Sequence, residues 1–220
     1  MLCAALQLVG CNSMPQPAPV VERARVRAPS PPPERYRVRP GDNLYRIALE
    51  HGLDYRELAR WNGVTQPDRL VAGTILRLRP PSAAAAEEEA AEIGEAPPKW
   101  VWPVRGKVIA DFDELAGRKG IQLAAPYGAP VLAAAPGRVV YAGHGLRGYG
   151  KLTIIRHGKV WLSAYAHQSR ILVKEGDRVA QGQQIGEVGD TDAERAKLHF
   201  EIRVYGKPVN PADHLPRPPG

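Results

Sequence analysis

The sequence predicts an α+β N-terminal module of β-α-α-β order followed by a mainly-β domain, the two joined by flexible linkers. Three observations carry this. Within residues 36–80 two short helical periods lie between strand-like segments. Across residues 100–216 short β-branched runs recur between glycine-rich turns. Residues 12–35 and 81–99 hold too few large apolar side chains to bury a core.

The first module begins with Tyr36-Arg37-Val38-Arg39, which alternates like a strand and stops at Pro40-Gly41. Asp42 is placed to cap a helix in which Leu44, Ile47 and Ala48 repeat at i, i+3, i+4, closed by Gly52. Asp54-Tyr55-Arg56-Glu57 has the capping-box pattern and opens a second helix through Leu58, Ala59 and Trp61 to Asn62-Gly63. Ile75-Leu76-Arg77-Leu78-Arg79 supplies a closing strand. In the second domain, strands are expected at Lys107–Ile109, Pro130–Leu132, Gly137–Tyr141, Leu152–Ile155, Val160–Ala166 and Leu198–Val204, giving a sandwich or barrel-like body.

The chain has 220 residues with 22 Pro and 22 Gly, and its charge of +7 favours an anionic partner. Both modules are net basic and the segment between them is acidic, so the charge does not sit in a tail and a nucleic-acid-binding arm is not expected. Cys3 and Cys11 are the only cysteines, which leaves the folded parts without a disulfide or a cysteine metal site. The start, residues 1–11, is apolar but too short to span a bilayer. Its ending Leu8-Val9-Gly10-Cys11 resembles a bacterial lipobox, which implies lipid attachment at Cys11 and anchoring by lipid in the cell envelope. A basic region before the apolar run is missing, so the true start is expected upstream of Met1; Asn12 and Ser13 offer no Asp after Cys11, which favours the outer membrane. Residues 12–35 are proline-rich and read as an extended tether; residues 81–99 read as an Ala/Glu/Pro linker, with a transient helix over Ala83–Glu92.

Residues 36–80, with Pro40-Gly41-Asp42-x-Leu44, Ile47-Ala48, Leu58-x-x-Trp61-Asn62 and Leu70-x-x-Gly73, resemble a LysM module. The resemblance implies binding of the glycan strands of peptidoglycan in a shallow groove. Gly41, Asp42, Asn43 and Leu44 would form one side, and Gln66, Pro67, Asp68, Arg69 and Leu70 the other. Asp42 and Leu44 have an equally good structural reading, as a cap and a packing residue.

Residues 100–216 resemble a LytM, or lysostaphin-type, domain through Trp102-Pro103-x-x-Gly106, Lys119-Gly120-Ile121, Gly128-x-Pro130-Val131, Gly148-Tyr149-Gly150, Tyr165-x-His167, Val179-x-x-Gly182, Leu198-His199-Phe200-Glu201-Ile202-Arg203 and Val209-Asn210-Pro211. Enzymes of that family hold zinc with a His-x-x-x-Asp pair and the second His of a His-x-His. Here the first site reads Arg118-x-x-x-Gln122 and the second Lys197-Leu198-His199. A catalytic zinc needs three imidazole or carboxylate ligands and an open position. His199 alone cannot supply that, and Arg118 and Lys197 would repel a dication, so no metal, no cofactor and no peptidase activity are expected. His144 and His157 read as loop residues; His51 and His214 carry no motif. Period-2 alternation from Lys197 to Arg203 buries Leu198, Phe200 and Ile202 and turns Lys197, His199 and Glu201 outward onto a groove.

Together these features resemble the NlpD-type murein hydrolase activator lipoproteins. The resemblance implies a non-catalytic protein that binds peptidoglycan and activates a cell-wall N-acetylmuramoyl-L-alanine amidase at division. The partner would meet a groove lined by Arg118, Gln122, Arg147, Tyr149, Tyr165, His167, Lys197 and His199. The alternatives are a passive peptidoglycan-binding scaffold and an active zinc endopeptidase.

Overall fold

The computed structural model describes residues 33–81 and 97–217. The expected lipobox with Cys11, nearly all of the tether and the Ala83–Glu92 helix lie outside the described residues. No described helix is long and apolar enough to cross a membrane.

The first module is β1 (Arg35–Arg37), α1 (Leu44–His51), α2 (Tyr55–Asn62) and β2 (Ile75–Arg77), with β1 and β2 antiparallel and Tyr36 opposite Leu76. The first strand ends before Val38, whose amide and carbonyl bond instead to Thr74 and Gly73. The cap of α1 is Asn43 and not Asp42: the Asn43 side chain accepts the Arg46 amide. Asp42 is otherwise engaged, since its carboxylate accepts the Tyr36 hydroxyl at 2.7 Å and the Arg39 amide at 2.8 Å. Asp54 caps α2 as expected, and Gly52 and Gly63 close the two helices in left-handed conformation. Val38, Leu44, Ile47, Ala48, Leu58, Leu76 and Leu78 form the core.

The second domain is one antiparallel sheet of ten strands: β3 (Lys107–Ala110), β4 (Ile121–Ala124), β5 (Pro130–Leu132), β6 (Gly137–Gly143), β7 (Lys151–His157), β8 (Trp161–Ile171), β9 (Arg178–Val179), β10 (Gln184–Val188), β11 (Leu198–Val204) and β12 (Lys207–Val209). The main path runs β3-β4-β11-β8-β7-β6-β9; β10 joins β5 to β8, and β12 pairs with β11. Four strands, β4, β9, β10 and β12, go beyond those read from sequence. β9 has two residues and β10 carries Gly186 at its centre, so neither shows a β-branched run. Ile121, Leu123, Val139, Ile155, Ile185, Val188, Leu198, Phe200 and Ile202 belong to one buried core cluster.

The two modules pack directly on each other. Leu49 of α1 is buried among Val140, Tyr141, Leu146, Leu152, Ile154 and Leu162, with Tyr45 and Tyr55 beside it. The Tyr45 ring packs tilted against that of Tyr55 and edge-on against that of Tyr141, with centroids 4.5 and 5.3 Å away. Charges border this apolar contact: Arg156 Nη2 lies 3.0 Å from Glu57, the Tyr55 hydroxyl donates to Glu175 at 2.8 Å, and Arg56 pairs with Glu175. Backbone also meets backbone across the seam, at Gly52 and Gly206. A Cβ on Gly206 would stand 2.3 Å from the Glu50 carbonyl oxygen and 2.4 Å from the Gly52 nitrogen.

Candidate functional site

A cavity of about 320 Å³ opens where β11 and β8 meet the 143–150 loop and α1. His199 on β11 stands across from Gln122 on β4 and Ala166 on β8. The β7–β8 register slips near the next residue, His167, which has φ 63°. That conformation is uncommon for a side-chain-bearing residue and costs on the order of 1 kcal/mol; the bulge it makes turns the imidazole toward the groove. The His167 amide bonds the Tyr149 carbonyl at 2.8 Å, its Nδ1 lies 2.8 Å from the Thr191 carbonyl, and its ring centre is 6.1 Å from that of His199. Burial, above all, lowers the His167 pKa; the neighbouring His199 and Lys197 charges act the same way.

Beneath the cavity lies a closed network of charges. Glu201 Oε1 is 2.9 Å from His199 Nε2 and accepts the Tyr149 hydroxyl at 3.0 Å, while Oε2 accepts Arg203 Nε at 2.6 Å. Arg203 also donates to the Gly206 carbonyl and to the Tyr149 oxygen. Burial opposes ionisation of Glu201, but the Arg203 guanidinium and the His199 hydrogen bond outweigh it and hold the carboxyl down to about 2. Burial next to this carboxylate pushes the Tyr149 hydroxyl well above its ordinary range.

Of the eight expected groove residues, Arg118, Gln122, Arg147, Tyr149, His167 and His199 line the cavity. Two do not. Tyr165 is fully buried on the core side of β8; its oxygen accepts the Ala134 amide at 2.8 Å and bonds Ser163, which reaches His157 at 2.7 Å. Lys197 is buried too, with its ammonium 2.8 Å from Glu194. The expected outward row of Lys197, His199 and Glu201 is corrected in the same way: Glu201 has no exposure, because the 143–150 loop and α1 cover that face of β11. His157 closes β7 inside the core and is not a loop residue; burial pushes its pKa down to about 4. Sequence reasoning missed Arg46, Leu49 and Glu50, which the first module contributes to the cavity, and Arg203 beneath it.

In the first module, the Leu44 amide bonds the Pro67 carbonyl at 2.8 Å and ties the two expected glycan-contacting loops together. Gly41, Gln66, Asp68 and Arg69 are exposed there, and Asp42, Asn43, Pro67 and Leu70 half-buried. Leu44 has no exposure and packs in the core, so its place in the groove wall is corrected. Asn43 Nδ2 reaches the Gly145 carbonyl of the second domain at 3.4 Å.

The residues present do not fit a catalytic zinc ion. Arg118 offers only donors and is turned to Asp113 at 2.8 Å, Gln122 is a neutral amide, and the His199 Nε2 is committed to Glu201. Among the described residues no three His, Cys, Asp or Glu side chains gather as a metal site. The reason is the ligand set and not charge repulsion, because Arg118 and Lys197 are both paired with carboxylates.

Residues 36–79 match the LysM domain and residues 116–211 match peptidase family M23. The lipoprotein NlpD/LppB homolog of Pseudomonas aeruginosa is 38% identical over 229 residues, covering 83% of this chain and 77% of that protein. The uncharacterized lipoprotein YgeR of Escherichia coli is 39% identical over 202 residues, 82% of this chain and 80% of that one. The murein hydrolase activator NlpD of Escherichia coli is 50% identical over 119 residues, 54% of this chain and 31% of that protein. The chain therefore belongs to the NlpD/LppB family of lipoproteins, with a LysM domain followed by a domain of peptidase family M23.

Proposed function

We propose that this NlpD/LppB-family chain is a non-catalytic envelope lipoprotein. It holds peptidoglycan glycan strands through the LysM domain and activates a cell-wall N-acetylmuramoyl-L-alanine amidase during division through the M23-domain cavity. Anchoring is by lipid on Cys11, in the outer membrane facing the periplasm. One observation carries the reading: the peptidase framework keeps an open cavity of about 320 Å³ over a rigid polar floor, while two of its three ligand positions are Arg118 and Gln122. Such a cavity is suited to binding a segment and not to activating water. Activation then requires that the protein bind the open amidase more tightly than the closed one, since only differential affinity moves the population.

Dye release from labelled peptidoglycan by the cognate amidase, with and without this protein, tests the reading. Release should rise when the protein is added and stay at background when it acts alone. Dye release by the protein alone, together with stoichiometric zinc after purification, would make it an endopeptidase; an unchanged amidase rate would make it a scaffold. Leu115, at the tip of the turn between β3 and β4, is fully exposed and lies two residues from the cavity-lining Gly117. L115D should lower activation severalfold, as expected for loss of an apolar anchor.

A further inference from the structure

The cavity has walls from both modules, and the first module's contribution is charged. Arg46, Leu49 and Glu50 on α1 line it together with Arg118, Lys119 and Arg147 of the M23 domain. Arg46, Lys119 and Arg147 form no ion pair among the described residues, whereas Glu201 beneath them is neutralised by Arg203. Glu50 is then the one carboxylate left on the lining to oppose those cations. The surplus is positive and is distributed across two modules. Leu49 and Leu146 border the cavity but are buried in the apolar contact between the modules, so the exposed lining is polar and basic.

We propose that this cavity is a composite site for an acidic peptide segment of the partner protein, with α1 as one of its walls, so that the segment is gripped only while the LysM domain stays docked on the M23 domain. Basic groups supplied by both modules, with a single unpaired carboxylate among them, fit an extended peptide rich in carboxylates. The α1 wall is held in place by Tyr45 against Tyr141 and by Glu57 against Arg156, neither pair lining the cavity. Docking and binding can therefore be perturbed separately. The inference rests on reading the cavity as the partner's site and goes further by naming the ligand chemistry and the second wall.

The test uses the full chain and the anisotropy of a short fluorescein-labelled peptide of alternating glutamate and alanine, with lysine replacing glutamate as control. The acidic peptide should bind, the basic one should not, and affinity should fall as salt screens the charges. R46E should weaken binding roughly tenfold, the scale of one lost attraction and one gained repulsion, while R105E, exposed elsewhere, should not. Y45D should undock the LysM domain and weaken binding at least as much as R46E; R156E attacks the same docking from the other side should Y45D fail to fold. Unchanged binding by R46E, binding by undocked variants equal to or tighter than wild type, or displacement of the peptide by soluble disaccharide-tetrapeptide would overturn the proposal. Intact peptide binding with no amidase activation would instead count against the proposed function.

Discussion

Two polar networks lie on opposite faces of the sheet, a neutral one on β7 and β8 and a charged one on the neighbouring β11, and they solve burial differently. On the core side, the Ala134 amide, the Tyr165 and Ser163 hydroxyls and His157, whose Nδ1 is 2.8 Å from the Pro136 carbonyl, form a neutral chain. Satisfying every group fixes its direction: Tyr165 donates to Ser163, Ser163 to His157 Nε2, and His157 Nδ1 to Pro136. On the cavity side, Glu201 and Arg203 are buried as ions, with His199 and Tyr149 completing their bonds. A buried ion pair seldom exceeds well-packed apolar residues in stability, so the charged solution is better understood as a fixed floor for an open site. The neutral chain is internal scaffolding.

Breaking the charged network should have the largest effect. Glu201→Ala strands the Arg203 guanidinium and should cost about 3–5 kcal/mol in urea unfolding, with most of that recovered when Arg203 is also made Met. A loss no larger than that of a neutral-network variant would dissolve the distinction. The second effect is pH dependence. His157 is held near 4 against an ordinary 6.5, so the unfolded chain binds more protons between those values. Stability from this group is complete above about 6.5 and lost as pH falls toward 4, up to about 3 kcal/mol. Glu201, held near 2 against 4.5, loses its contribution only below about 4.5, so the two networks titrate in separate windows. Burial also lowers His51, His167 and His214, so H157F should flatten the slope above pH 4.5 in part. Ser163→Ala, which interrupts the neutral chain, should cost about 1–2 kcal/mol. L115D should change stability by less than about 0.5 kcal/mol, which makes its effect on activation readable as binding.

Local pattern made much of this legible. Helical periodicity and caps placed α1 and α2, and alternation placed β11 with Leu198, Phe200 and Ile202 inward. It failed where the environment is set at long range. Alternation distinguishes two faces of a strand but not whether the second face is open; Glu201 and Arg203 are buried because a loop and a helix from the other module lie over them. Docking itself left a readable trace. Tyr45 and Leu49 are spaced i, i+4 and form a second apolar stripe on α1, beside the stripe of Leu44, Ile47 and Ala48 that serves its own core. A short helix with two such stripes has two neighbours to satisfy. The αL bulge at His167 left no comparable mark, since nothing in Tyr165-Ala166-His167 marks a turn.

The facing backbones of Gly52 and Gly206 set a dimensional tolerance for the assembly. Where a single methyl group would stand 2.3 Å from a carbonyl oxygen, the seam cannot absorb even alanine without shifting a whole helix. Exposed faces of either half are free to drift, but these two positions must remain bare for the halves to fit.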